Sequence, residues 1–259
     1  MSEHPDKFYK YRSMSGDAAN WVERTVLCDE IYFASASSFN DPFDLRPSFS
    51  MEAPPERQRD DFLRMSRKFE PELTEEDRQA EADLVMATSM SSADINNTTA
   101  AIQAIHNHHT TTKVGVLCVS TKSDDILMWS HYGDSHRGIC LEFDGAAPLM
   151  AHAQKIQYSD VRAPINPYDD GPEVMMEKSL LLKSNHWAYE SEWRLLRYLG
   201  GPGVVKFRPA NLTGIILGAL ASASTIDTVA AWVRRRAVPI SIYRASVSSK
   251  KFELVIAQL

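Results

Sequence analysis

Short runs of strand character, most of them closed by Gly, Pro, Asn, Asp or Ser, recur through this chain and restrict it to a fold built on many brief strands. They fall at Phe8 to Arg12, Ile31 to Ser35, Val114 to Ser120 and Ile139 to Asp144, and again at Lys155 to Tyr158, Trp193 to Tyr198, Gly203 to Phe207, Thr213 to Leu217, Ile240 to Ala245 and Phe252 to Ile256. Helical patterns separate some of them, at Ala18 to Leu27, Glu173 to Leu182 and Thr225 to Arg236, but without the regular alternation of a doubly wound fold. The expected class is α+β, with a mixed or antiparallel central sheet and flanking helices. One stretch breaks the pattern. From Met51 to Lys113, Glu, Arg and Gln with spaced Leu, Met and Phe predict two or three helices, near Pro55 to Phe69, Glu75 to Ser89 and Asp94 to His108. This reads as a helical insertion, residues 51–113, within a single α+β domain of residues 1–259.

The formal charge of −6 and pI near 5.8 argue against broad electrostatic capture of nucleic acid. Cys28, Cys118 and Cys140 have no metal-like spacing and sit among apolar neighbours, so buried free thiols in a reducing compartment are expected. Met1 to Lys10 is polar and no apolar run is long enough to cross a bilayer, which predicts a cytoplasmic protein without membrane association. The His106-Asn107-His108-His109 run lacks a nearby Cys or acid, and no metal is expected there.

Three clusters interleave charged and aromatic residues: Asn40-Asp41-Pro42-Phe43-Asp44, Met128-Trp129-Ser130-His131-Tyr132-Gly133 and Tyr189-Glu190-Ser191-Glu192-Trp193-Arg194. Pockets use that mixture to hold a polar ligand against an apolar wall, so one site assembled from distant segments is expected. If Glu190 to Leu196 is extended, Glu190, Glu192 and Arg194 share one face and Ser191, Trp193 and Leu195 the other. Two like charges on one face need a cation beside them, which Arg194 or a ligand can supply; a solvated strand edge is the plainer alternative. Trp129, His131 and Tyr132 can line a ring-binding pocket or form a structural plug. Asp41 and Asp44 can join a glutamate around a hard cation, or Asn40 and Asp41 can cap a turn before Pro42. Nucleotide-loop and serine-hydrolase motifs are absent from the sequence.

Tyr9-Lys10-Tyr11-Arg12, the run Ser37-Ser38-Phe39-Asn40-Asp41-Pro42-Phe43-Asp44, Met128 to Tyr132, His136 to Phe143, and Lys183 with Trp187 to Arg194 together resemble the bacterial family catalogued as domain of unknown function 2971. The resemblance spans residues 8 to 220, with Gly133 standing where the family shows Ala, and implies no established activity.

A second resemblance bears on mechanism. Arg12 on a first strand, Ser120-Thr121 ending a middle strand and Glu190-x-Glu192 on a later one follow the order of one class of ADP-ribosyltransferases. It implies NAD as substrate, Glu192 and Glu190 as catalytic carboxylates, and Tyr11, Arg12, Ser120, Trp129, Tyr132 and Arg194 around the dinucleotide, with Asn40, Asp41, Asp44 and His131 also in the pocket. Cleaving the nicotinamide bond builds positive charge on the ribose, so a fixed carboxylate stabilises the transition state while an arginine holds the pyrophosphate. The leading expectation is an NAD-using ADP-ribosyltransferase or NAD glycohydrolase, acting as a toxin or phage-defence effector on an unknown macromolecular acceptor. The alternatives are a non-catalytic module that binds a nucleotide-like small molecule or a protein, and a magnesium-dependent nuclease using Asp41, Asp44, Glu190 and Glu192.

Overall fold

The computed structural model describes residues 4–87 and 92–259. In chain order the elements are β1 (Lys7–Arg12), α1 (Asp17–Cys28), β2 (Glu30–Ser35), α2 (Pro55–Phe69), α3 (Glu75–Ala87), α4 (Ser92–Lys113), β3 (Gly115–Ser120), α5 (Ile126–Tyr132), β4 (Ile139–Asp144), β5 (Gln154–Lys155), β6 (Gln157–Ser159), α6 (Pro172–Leu180), β7 (Leu182–Ser184), β8 (Glu192–Arg197), β9 (Gly203–Lys206), β10 (Leu212–Leu217), α7 (Ala223–Arg235), β11 (Ser241–Val247) and β12 (Leu254–Gln258). The chain divides into two compact units, one of residues 1–40, 111–160 and 183–259, the other of residues 41–110 and 161–182.

The first unit carries a ten-stranded sheet ordered β12-β11-β10-β4-β1-β3-β2-β9, with β8 alongside β3 and β5 alongside β8. Every pairing is antiparallel except β10 with β11, so the α+β class with a mixed sheet is correct. The period of two along the central strands sorts apolar side chains onto two faces. Ile139, Leu141 and Phe143 of β4 and Ile215 and Leu217 of β10 join Phe8 and Trp193 under α1 and α7, which contribute Val22, Val26, Val229 and Trp232. Cys140 and Ile216, one residue out of phase, face the opposite way and pack with Tyr11, Ala245 and Leu254 against Met128 and Trp129 of α5.

The helix starts follow from local chemistry. Asp125 accepts from the backbone N–H groups of Leu127 and Met128 at 3.0 Å and opens α5, and Ser222 accepts from Thr225 N–H at 3.1 Å and opens α7.

In the second unit α2 and α3 are tied by Arg59, which reaches Gln79 at 2.6 Å and Asp83 at 2.8 Å. Arg78, buried, donates to Ser66 Oγ at 2.6 Å. Phe49 and Ile165 form a parallel bridge.

Of the expected insertion, residues 111–113 fall in the first unit, while residues 51–110 belong to a wider unit that begins at Asp41 and takes in a later segment, Val161–Leu182. Its third helix runs on to Lys113; the last two residues of the expected second helix, Thr88 and Ser89, lie outside the described residues. Two further expectations are corrected. Cys28 is exposed at the end of α1, and Cys118 is half-buried beside a cavity, leaving only Cys140 as the buried thiol expected of all three. Glu190 is not on the strand: it closes a 3-10 turn, Asn185–Glu190, and Ser191 (φ 46°) reverses the chain before β8 begins at Glu192. No helix among the described residues is long and apolar enough to cross a membrane.

Candidate functional site

A split in the sheet opens a cavity. Strand β8 runs along the whole of one edge of β3, from Gly115 opposite Arg197 to Ser120 opposite Glu192. The other edge of β3 is shared: β2 pairs only with Gly115 and Val116, and β1 only with Ser120. The two strands diverge, and no described strand covers this edge from Leu117 to Val119. Lys10 reaches across this wedge and donates from Nζ to the Cys118 carbonyl at 2.7 Å, supplying the partner that a neighbouring strand would have given.

A cavity of about 530 Å³ opens here, lined by residues of β1, β2, β3, α5, β7 and β8, all of the first unit. Its volume is that of a small-molecule site.

One wall is an ion cluster. Lys183 Nζ bridges two carboxylates, Glu190 Oε2 at 2.5 Å and Glu192 Oε2 at 2.9 Å. Arg194, two residues along β8 and fully buried, clamps Glu192 with Nε to Oε1 at 2.8 Å and Nη2 to Oε2 at 3.2 Å. Tyr132 at the end of α5 donates to Glu190 Oε1 at 2.7 Å. The turn before β8 is fixed by Ser120, which donates to the Glu190 carbonyl at 2.6 Å, and by Tyr158, which accepts from Glu192 N–H at 2.8 Å.

The two carboxylates are held differently. Burial pushes the Glu190 carboxyl up, Lys183 pulls it back, and the charge of Glu192 raises it again; the net is a pKa above the ordinary range. Burial also opposes ionisation of Glu192, but Arg194 and Lys183 outweigh it and hold that carboxyl below the ordinary range. Glu192 is thus held more firmly as an anion than Glu190.

On the opposite wall, Arg12 and Lys10 of β1 form no ion pair with an acid among the described residues. Arg12 lines the cavity with no hydrogen bond or ion pair to any described residue, and burial alone lowers its pKa. Lys10 is pushed down to about 8, chiefly by burial and then by Arg12. Gly138, where β4 begins, lets the chain pass against the Arg12 carbonyl oxygen, a space that a Cβ would occupy.

Of the residues expected from sequence, Tyr11, Arg12, Asn40, Ser120, His131, Tyr132, Glu190 and Glu192 border this one cavity. Four are placed otherwise. Trp129 is fully buried on the inner side of α5, its Nε1–H on the Ser123 carbonyl at 2.9 Å and its ring edge-to-face with Tyr11, so it cannot stack on a ligand. Arg194 lies behind Glu192 with its guanidinium over the Phe39 ring and does not line the cavity. Asp41 and Asp44 belong to the second unit; Asp41 accepts from Phe43 N–H at 2.8 Å, the turn reading.

No protein-family model, curated protein or solved structure matches this chain.

Sequence reasoning gave no role to Lys10 or Lys183, although both stood in the quoted runs. For Lys183 the signal was electrostatic: two glutamates approaching one buried site require more cation than Arg194 alone. For Lys10 it was the alternation that puts it level with Arg12. The aromatic rim was legible in composition but not in geometry. His131 Nδ1 meets the Tyr189 hydroxyl at 2.8 Å, and the Trp187 ring lies beside Tyr189 and under the Lys183 ammonium.

Proposed function

We propose that the chain uses NAD as substrate, as an ADP-ribosyltransferase or NAD glycohydrolase, within the bacterial family it resembles. The observation that carries this reading is the opposition across one cavity of an acid-free arginine, Arg12, and a locked carboxylate, Glu192. A ligand that suits both walls has an anionic part for Arg12 and Lys10 and a centre that becomes cationic for Glu192. A dinucleotide whose glycosidic bond is breaking meets both conditions.

In this reading Arg12 and Lys10 hold the pyrophosphate, and the rings of Tyr132 and Phe39 supply apolar wall. The bond between ribose C1′ and the nicotinamide nitrogen breaks, and nicotinamide leaves with the electron pair. Glu192 stabilises the positive charge left on the ribose. Water or an acceptor hydroxyl then attacks C1′ and gives its proton to Glu190, the carboxylate that burial makes more basic.

A magnesium nuclease is less well supported, because Glu190 and Glu192 already hold the Lys183 ammonium and Glu192 the Arg194 guanidinium, leaving little of their charge for a metal. A binding module remains the second reading, favoured by that same neutralisation. Nicotinamide release from NAD separates the two: turnover by wild type, lost in Arg12→Gln, supports the transferase or glycohydrolase. Binding of NAD without release by wild type, with water or any offered acceptor, leaves the module.

A further inference from the structure

The two ends of the sheet are finished in different ways. At one end β9, only Gly203–Lys206, follows Pro202 and carries Lys206, devices that discourage another strand from adding on. At the other end β12 has none. Leu254-Val255-Ile256-Ala257-Gln258 contains no charge and no proline, and its register with β11 runs without a bulge.

The backbone shows which groups are left over. Ser248 N–H donates to the Glu253 carbonyl at 3.1 Å, and Leu259 N–H to the Ile242 carbonyl at 2.9 Å. Hydrogen-bonded pairs recur at every second residue of an antiparallel ladder, so the N–H and C=O groups of residues 253, 255, 257 and 259 face β11. Those of Leu254, Ile256 and Gln258 point away from it, and no described strand pairs with that edge. Val255 is 48% exposed on the surface beside it.

We propose that this edge joins two copies of the chain through antiparallel pairing of β12 with β12, centred on Ile256. The register follows from the groups available. With Ile256 opposite Ile256 of the second copy and Leu254 opposite Gln258 of the second copy, every outward N–H meets an outward C=O, and each copy satisfies the other by the same two-fold operation. Shifting the centre by one residue leaves outward groups of the strand unmet. Val255 then faces Ala257 of the second copy, an uncharged pair at a non-hydrogen-bonded position where side chains come closest.

A single strand edge is a small interface, so association in the micromolar range is expected. Sedimentation of the full chain from about 1 to 200 µM should show a shift from one copy to two. Gln258→Pro removes an outward N–H and adds a ring on that edge without touching the ladder to β11, because the Gln258 N–H does not face β11. It should keep the wild-type circular dichroism and weaken association by at least about tenfold. As an independent readout, Val255→Cys with Ala257→Cys, in a Cys28→Ser background, should oxidise to a disulfide-linked dimer while either single cysteine does not. A wild type that stays at one copy throughout, a dimer indifferent to Gln258→Pro, or a double-cysteine variant that fails to cross-link would each overturn the proposal.

Discussion

The two walls of the cavity differ in how their charges are answered. On the β7–β8 side every ionised group has a partner: Lys183 holds Glu190 and Glu192, Arg194 holds Glu192, and the four side chains are almost wholly buried. On the β1 side Arg12 has no acidic partner among the described residues, and Lys10 donates to a carbonyl and feels Glu192 and Glu190 only through their charge. Burial imposes a desolvation cost on both walls, and only the first offsets it internally. In the proposed reading the unanswered arginine is the one that meets the anionic part of the ligand, while the answered wall holds its carboxylates in fixed positions.

The comparison sets the order of expected effects. Removing one member of the answered wall should cost most. Lys183→Met leaves two buried carboxylates to share Arg194, and a loss of about 3 to 5 kcal/mol in unfolding free energy is expected by urea denaturation. A loss under about 1 kcal/mol would mean that the cluster is solvated and the two walls do not differ.

Glu192→Gln is next. Neutralising the fixed anion should lower nicotinamide release about 100-fold, corresponding to about 3 kcal/mol of transition-state stabilisation. The same change weakens the clamp on Arg194, so the variant must be assayed below its own melting temperature. Full turnover in a folded Glu192→Gln protein would remove Glu192 from the chemistry.

Lys10 gives the smallest effect and the sharpest sign. Its pKa is lowered to about 8, so the ammonium is present below that pH and lost above it. Affinity for an anionic ligand should therefore fall as pH rises through about 8, and Lys10→Arg, which stays charged, should flatten the profile. An unchanged slope in Lys10→Arg would assign the pH dependence to another group.

Much of the fold was legible in the sequence because strand length and alternation are local properties. The helices Pro55–Phe69 and Ala223–Arg235 and the strands β2, β4 and β10 fall within two residues of their sequence-based limits. Trp193 lies in the core on the side opposite Glu192, as the alternation requires. What was not legible depends on long-range geometry. The phase of Glu190 was lost because a left-handed Ser191 ends the turn before β8, a conformation that serine does not advertise. Trp129 was assigned to a ligand because a tryptophan beside polar residues looks the same in sequence whether a seven-residue helix turns it inward or outward. The split between β1 and β2 that makes the cavity is a property of three strands from distant segments, and no local pattern encodes it.

The most direct test of the unanswered wall is calorimetric titration of NAD into wild type and Arg12→Gln, with unfolding free energies measured alongside. The expected result is an unfolding free energy equal to or above that of wild type, because an uncompensated buried charge is removed and no partner among the described residues is lost, together with affinity weaker by about 10- to 100-fold from one missing charge-assisted contact. Equal affinity in the two proteins, or no binding of NAD by wild type, would contradict the assignment of Arg12 as the anion's partner.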